Sequence, residues 1–134
     1  MILPAISVRQ PWAWAMLFAG KDRENRSWNL PEKFRNTPAL LHASQRLDSD
    51  GLAWLKSSGF EPPDDLTKGG IVGLVTFVSM TFKPSIWSIE GLKQWEITGV
   101  CRVEFWPCRG AQGFFYVDYP SQYLPDFVLN DERY

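Results

Sequence analysis

The sequence has little of what metal sites, disulfide frameworks and membrane spans require. Among 134 residues there are two cysteines, Cys101 and Cys108, and one histidine, His42. Two cysteines are too few for a disulfide framework or a four-cysteine metal site, and one histidine with scattered carboxylates matches no zinc-ligand spacing. No segment approaches the roughly 18 apolar residues of a membrane helix, and no signal-peptide pattern opens the chain. We therefore expect a cytoplasmic protein without metal, cofactor or membrane partner.

The net charge is also small, at −1, which argues against a non-specific binder of duplex nucleic acid. The charges are unevenly distributed, however. Residues 1–46 hold seven basic and three acidic side chains, whereas residues 47–134 hold seven basic and twelve acidic ones. A basic region on an acidic body suits a local anion site, although it also arises when loops and termini simply differ in charge.

Length and composition predict one globular domain over residues 1–134. Apolar residues make up 45% and charged residues 22%, which is ordinary for a packed domain. Aromatic residues are frequent, at 15% with seven tryptophans. Most aromatic side chains belong to cores, but tryptophan and phenylalanine also stack on bases.

The first part of the chain predicts a strand, a helix and a polar extended segment. Residues 5–9 alternate as a strand, with Ile6 and Val8 facing the core. Residues 12–19 read as an apolar helix that Pro11 begins and Gly20 ends. Residues 22–28 are polar on both faces when extended, which is typical of a loop or of a strand that lines something other than core.

The rest of the chain predicts further short strands and a second helix, and therefore the α+β class. Asp48 is placed to cap that helix, which ends at Gly59. Residues 71–78 are apolar on both faces and predict a central strand. The remaining predictions are a strand at 39–44, a helix or lid within 84–99, and strands at 100–106 and 114–119 joined by a turn at 110–113. Together they predict a small mixed β-barrel flanked by two or three helices.

Six short motifs are spread over nearly the whole chain. They are Ser7-Val8-Arg9-Gln10-Pro11-Trp12, Gly20-Lys21, Glu24-Asn25-Arg26-Ser27-Trp28, Leu41-His42-Ala43-Ser44, Gly70-Ile71-Val72-Gly73 and, more loosely, Gly110-Ala111-Gln112-Gly113-Phe114. Their residues and order resemble the ASCH family of the PUA-like superfamily. The resemblance implies a PUA-like β-barrel with a cleft beside the first helix, and a role near RNA.

ASCH members are described as RNA-binding modules, and a few as ribonucleases or as hydrolases of modified cytidine. In the amidohydrolase-like members, a lysine after the first helix acts with a hydroxyl residue and a carboxylate. Lys21 matches that lysine. The residues that follow it, up to Glu24, include no serine or threonine, and residues 71–80 contain no acid. The chain therefore departs from the pattern of that reaction.

Three residues are candidates for catalysis. Lys21 is a base or nucleophile if its pKa is depressed by burial or by cationic neighbours, and otherwise a solvated lysine. Glu24 either contacts a base edge or moves a proton, or it simply forms a salt bridge with Arg26. His42 is a general base, or more ordinarily a hydrogen-bonded structural histidine.

Six further residues are candidates for ligand binding. Arg9 and Arg26 offer planar guanidinium groups to phosphate, and Gln10 lies near a helix N-terminus, where anions are favoured. Trp12 and Trp28 either stack on a base or pack in the core. Ser44 shares a strand face with His42, but no acid is placed to complete a triad.

We expect an RNA- or nucleotide-binding domain that holds single-stranded RNA or a modified nucleoside in the cleft beside the first helix. The alternative is a hydrolase, either an amidohydrolase or a ribonuclease, with Lys21 and Glu24 at its centre. A third hypothesis is a protein-interaction module that uses exposed aromatic side chains and the acidic loop at 61–65. Whether the chain is an enzyme stays open at this stage.

Overall fold

The computed structural model describes residues 1–134, which form six strands, three α-helices and two 3₁₀ turns. The strands are β1 (Ile2–Gln10), β2 (Arg23–Arg26), β3 (Ala39–Leu47), β4 (Gly70–Met80), β5 (Lys93–Pro107) and β6 (Phe114–Asp118). The helices are α1 (Trp12–Phe18), α2 (Ser49–Ser57) and α3 (Asp126–Leu129), and the 3₁₀ turns are Glu32–Phe34 and Ser121–Tyr123.

All six strands belong to one mixed sheet, in the order β2-β5-β4-β3-β1-β6. Strands β1 and β3 are parallel, and the other neighbours are antiparallel. The α+β class predicted from the sequence is therefore confirmed. The edge strands β2 and β6 do not pair with each other, so backbone hydrogen bonds do not close the sheet into a barrel.

The sheet is nevertheless strongly curled. Trp95 on β5 and Phe114 on β6 stack with ring centroids 5.9 Å apart, although β4, β3 and β1 lie between their strands. In a flat sheet, four strand spacings would separate them by about 19 Å. Strand β6 pairs with β1 only as far as Ile6, so the last residues of β1 have no strand on that side. We call this opening between β1 and β2 the seam.

Two hydrophobic clusters cover the two faces of the curled sheet. Ile6 and Val8 point into the inner cluster, which includes Phe77 and Trp95. Leu3 and Ala5 belong to the outer cluster, which the C-terminal segment covers with Tyr119, Leu124 and Val128. The alternation along β1 follows the two-residue period of a strand, as predicted.

Several local predictions are confirmed. Helix α1 begins after Pro11, and Gly20 follows its end with φ +73°, a conformation that glycine adopts without steric cost. Asp48 caps α2 by accepting a hydrogen bond from the Gly51 N–H. Strand β4 pairs on both sides, with β3 and β5, and is central to the sheet as its apolar faces predict.

The prediction of a helix or lid within residues 84–99 was wrong for its second half. Residues 93–99 are extended and form the start of β5. Trp95 points inward and is fully buried, so this stretch follows a strand period, which the short apolar spacing did not separate from a helical one. Residues 84–92 form a loop rather than a helix.

The predicted turn at residues 110–113 also does not join two neighbouring strands. Strand β5 pairs with β4 and β2, whereas β6 pairs with β1. The segment 108–113 is therefore a crossover to the far edge of the sheet. Glycines between two strand patterns indicate a change of direction, but they do not determine which strands pair.

None of the three helices has the length and the apolar character that a membrane-spanning helix needs.

Trp95 is the side chain on which the inner cluster most depends, because it contacts Trp28, Phe77 and Phe114 while fully buried. We expect Trp95→Ala to lower the free energy of unfolding by about 3 to 5 kcal/mol, measured by urea denaturation. Trp106→Ala is the control, since Trp106 lies on the same strand and is partly exposed; it should lower that free energy by no more than about 1 kcal/mol. Equal losses would contradict this account of the core.

Candidate nucleotide-sized cavity

A cavity of about 690 Å³ opens at the seam, and we call it the seam cavity. Its volume lies within the roughly 300 to 1,000 Å³ of small-molecule sites. Its walls come from the end of β1, the start of α1, β2, the start of α2 and the 84–92 loop. The lining residues are Ser7, Val8, Arg9, Trp12, Lys21, Glu24, Asn25, Arg26, Asp48, Asp50, Gly51, Trp54, Ile86, Trp87, Ser88, Ile89 and Leu92.

The structure brings five of the nine candidate residues together at this cavity. They are Arg9, Trp12, Lys21, Glu24 and Arg26. The other four, Gln10, Trp28, His42 and Ser44, are not among its lining residues. The cavity lies beside the start of the first helix, and two of the three catalytic candidates, Lys21 and Glu24, are on its wall.

Lys21 is a buried cation on the cavity wall, with 5% of its surface exposed. Its ammonium group donates a hydrogen bond to the Arg23 carbonyl and lies 5.6 Å from the centre of the Trp12 ring. Burial lowers the pKa of Lys21 from its ordinary 10.5, and the nearby carboxylates of Glu24 and Asp22 only partly oppose that shift. A lysine in this state has more neutral amine at a given pH than an exposed one.

Glu24 and Arg26 form an ion pair at 3.0 Å on the same side of β2. Glu24 is 7% exposed and also accepts a hydrogen bond from the Asn25 N–H. Arg26 donates across the seam to the Ser7 carbonyl at 2.9 Å, while its buried Nε has no partner. The salt bridge expected from the sequence is thus present within β2, and it faces the cavity.

Trp12 is held at its polar edge by the start of α2. Its indole Nε1 donates to Asp48 Oδ2 at 2.9 Å, and Asp48 Oδ1 accepts from the Gly51 N–H at 3.0 Å. The Gly51 N–H, then the Trp12 indole and the charge of Arg9, lower the pKa of Asp48 below its ordinary value. Trp12 itself stays partly exposed to the cavity.

The 84–92 loop forms a fixed wall of the cavity. The Asn25 side chain donates to the Trp87 carbonyl at 2.9 Å and accepts from the Ile89 N–H at 3.0 Å. Ser85 adds a hydrogen bond to Asp22 at 2.6 Å. Asn25 was not among the site residues predicted from the sequence, although its place in a strand that is polar on both faces was an available signal.

His42 lies away from the cavity and is 2% exposed. Its Nε2 is 2.8 Å from the Cys108 carbonyl, which can only accept, so Nε2 carries the hydrogen. Nδ1 is then free to accept from Ser7 Oγ at 2.9 Å. These contacts are those of a hydrogen-bonded structural histidine, the ordinary alternative that the sequence left open.

The other three candidates that do not line the cavity are Gln10, Trp28 and Ser44. Gln10 donates to the Thr67 carbonyl at 2.8 Å and accepts from the Trp14 N–H at 2.9 Å, so it ties the start of α1 to a loop. Trp28 packs edge-on against Trp95 at 4.7 Å. Ser44 Oγ is buried without a hydrogen-bond partner.

No three His, Cys, Asp or Glu side chains lie close enough together to hold a metal ion. No model of a known protein family matches this sequence, and no curated protein is significantly similar to it. The side chains at the cavity include one buried amine, the Glu24–Arg26 ion pair, the guanidinium group of Arg9 and the indole rings of Trp12, Trp54 and Trp87.

The lowered pKa of Lys21 predicts a pH dependence of stability. Between the folded pKa and the unfolded pKa near 10.5, the unfolded chain binds more protons, so raising the pH through this range stabilises the fold. We expect the free energy of unfolding of the wild type, measured relative to Lys21→Met by urea denaturation, to rise as the pH increases towards 10.5. The same comparison with Lys56→Met, at an exposed lysine, should stay flat; a flat result for both would contradict the assignment.

Proposed function

We propose that residues 1–134 form an ASCH-type domain of the PUA-like kind, which binds single-stranded RNA or a modified nucleoside in the seam cavity. One observation carries the proposal: an aromatic surface, a hydrogen-bonding ion pair and basic groups converge on one nucleotide-sized cavity. In this proposal the curled sheet is a PUA-like barrel whose open seam is the binding site. A cytoplasmic location belongs to the same proposal, and the two free cysteines suit it.

The inner part of the cavity supplies the groups that contact an unpaired base. The indole of Trp12 gives a stacking surface, and such stacking is tolerant of base identity. Glu24 offers acceptor oxygens, and Arg26 and Lys21 offer donors, so both donor and acceptor edges of a base find partners. A base inside a duplex cannot reach these groups, which favours single strands, loops or free nucleosides.

Arg9 supplies the phosphate contact in this proposal. Its side chain is exposed at the cavity and takes part in none of the five ion pairs of the structure. A free guanidinium group binds phosphate oxygens in bidentate fashion. The acidic residues of the cavity, Asp48 and Asp50 among them, limit the attraction of long polyanions, which agrees with the net charge of −1.

Arg9→Ala tests the phosphate contact. We expect it to weaken the binding of short single-stranded RNAs and to reduce the slope of log K against log salt by about 1, because one phosphate contact is lost. Arg46→Ala is the control, since Arg46 is exposed and lies outside the cavity. Affinities are measured by fluorescence anisotropy over a salt series, with modified nucleosides tested by calorimetry.

If the wild type bound neither RNA nor any nucleoside at physiological salt, the proposal would be wrong, and the protein-interaction hypothesis would take its place. Equal effects of Arg9→Ala and Arg46→Ala would show instead that the attraction is a general effect of charge and that Arg9 makes no particular contact.

A hydrolase is the second candidate, and the buried Lys21 is the observation that favours it. Burial lowers the pKa of Lys21, which is how lysines are made into bases or nucleophiles. Glu24 lines the same cavity and can carry a proton. Ser88 lines the cavity and is the candidate for the hydroxyl that the sequence lacks after Lys21, whereas His42 and Ser44 do not line it.

We expect RNA and modified nucleosides to be recovered unchanged after incubation with the protein, as judged by mass spectrometry. If products form instead, the hydrolase is correct, and turnover should disappear in Lys21→Met, which keeps the side-chain bulk, and in Glu24→Gln. Lys56→Met is the matched control at an exposed lysine. Turnover that survives in both cavity variants would place the chemistry elsewhere.

A further inference from the structure

The position of Trp12 depends on α2 more than on its own helix. Trp12 is the first residue of α1, and its indole contacts the start of α2. A methyl group added at Gly51 would overlap Cζ2 of the indole ring, so the ring packs directly on the backbone at Gly51. The absence of a side chain at residue 51 is what permits this close approach.

The two carboxylate oxygens of Asp48 accept different hydrogen bonds. Oδ1 caps α2 through the Gly51 N–H, and Oδ2 accepts from the Trp12 indole. Serine and asparagine cap helices about as well as aspartate, but each has only one oxygen to offer. Asparagine that caps Gly51 would turn its NH₂ group towards the indole N–H, and two donors would then face each other.

Neighbouring groups complete the enclosure of the indole. The Lys21 ammonium lies over the ring at 5.6 Å, and Trp54 contacts it with centroids 6.2 Å apart at 49°. Trp12 is half-buried and lines the cavity, so a ligand in the cavity can reach its ring. A ring ordered in advance loses little freedom when a base stacks on it, which strengthens binding.

We propose that Asp48 and Gly51 are positioning residues, which fix the plane of the Trp12 indole and thereby determine how tightly the cavity holds a stacked base. This inference rests on the proposed nucleotide-binding function. It assigns the N-terminal turn of α2 to the binding site, although none of the six motifs in the sequence includes that turn.

Asp48→Asn and Asp48→Ser separate the role of Asp48 as the cap of α2 from its role as the hydrogen-bond acceptor of the Trp12 indole. Both keep the helix cap, so the thermal midpoint should change little. Both remove the partner of the indole, so the Nε1–H NMR resonance of Trp12, assigned by its loss in Trp12→Phe, should shift. We expect the affinity for single-stranded RNA and for nucleosides to fall about threefold to tenfold. Gly51→Ala should give the same losses by displacing the ring.

In Asp48→Asn, the loss of a negative charge and the displacement of Trp12 are expected to change the affinity for RNA in opposite directions. Removing a carboxylate should by itself strengthen the binding of an anionic strand, so a weaker affinity for RNA in Asp48→Asn points to the position of Trp12. Asp64→Asn is the control, because Asp64 is exposed on the acidic loop and lies outside the cavity. It should leave the indole resonance and the nucleoside affinity unchanged.

The outcomes separate the inference from the function on which it rests. If the wild type binds RNA or nucleosides and the Asp48 and Gly51 variants bind them as tightly, the positioning role is wrong and the proposed function stands. If the wild type binds neither, both are wrong. Weaker binding in these variants, with the fold intact and Asp64→Asn unaffected, supports the inference.

Discussion

The hydrogen bond from Arg26 to the Ser7 carbonyl is the contact on which the site depends. Beyond Ile6, strand β1 has no strand partner at the seam, and an edge carbonyl there requires a donor. The guanidinium group supplies it from β2, while its charge is balanced by Glu24. A side chain thus joins two strands that the backbone leaves apart, and the space between them is the cavity.

The charges at the seam are difficult to explain by stability alone. Lys21 and Glu24 are almost fully buried, and the desolvation of the Glu24–Arg26 ion pair offsets most of its attraction. Hydrophobic residues of similar size would stabilise this position at least as well. A buried lysine whose pKa is lowered by burial, as Lys21 is on the wall of this cavity, is instead typical of functional sites. The buried Arg26 Nε without a partner agrees with this interpretation.

Most of the fold could be predicted from local patterns, whereas the pairing of strands could not. The alternation in β1, the cap at Asp48 and the apolar faces of β4 determine their own elements. The start of β5 was misassigned because its short apolar spacing did not separate a strand period from a helical one. The crossover at 108–113 depends on which strands pair, and no local period reports the pairing of strands that are distant in sequence. The parallel pairing of β1 with β3 is equally invisible in the sequence.

The same limit applies to the site. Glu24 and Arg26 could be predicted because a strand that is polar on both faces has no place in a core, and Lys21 because it matches the lysine implied by the ASCH resemblance. Asn25 lies in the same polar strand, but its role in holding the 84–92 loop could not be predicted, because its partners Trp87 and Ile89 lie more than 60 residues away. His42 has the chemistry of a catalyst but the surroundings of a structural residue, and residue type alone does not separate the two.

The high tryptophan content suggested base stacking, but composition alone could not show which tryptophan is placed to stack on a base. Trp95 is fully buried and Trp87 nearly so, and both serve the packing of the core or of the cavity wall. Trp28 packs against Trp95, outside the cavity lining. Trp12 differs because its polar edge is satisfied by Asp48 while part of the ring stays open to the cavity. An indole that is anchored at its N–H and partly open has the two properties that a stacking surface needs, namely fixed orientation and access.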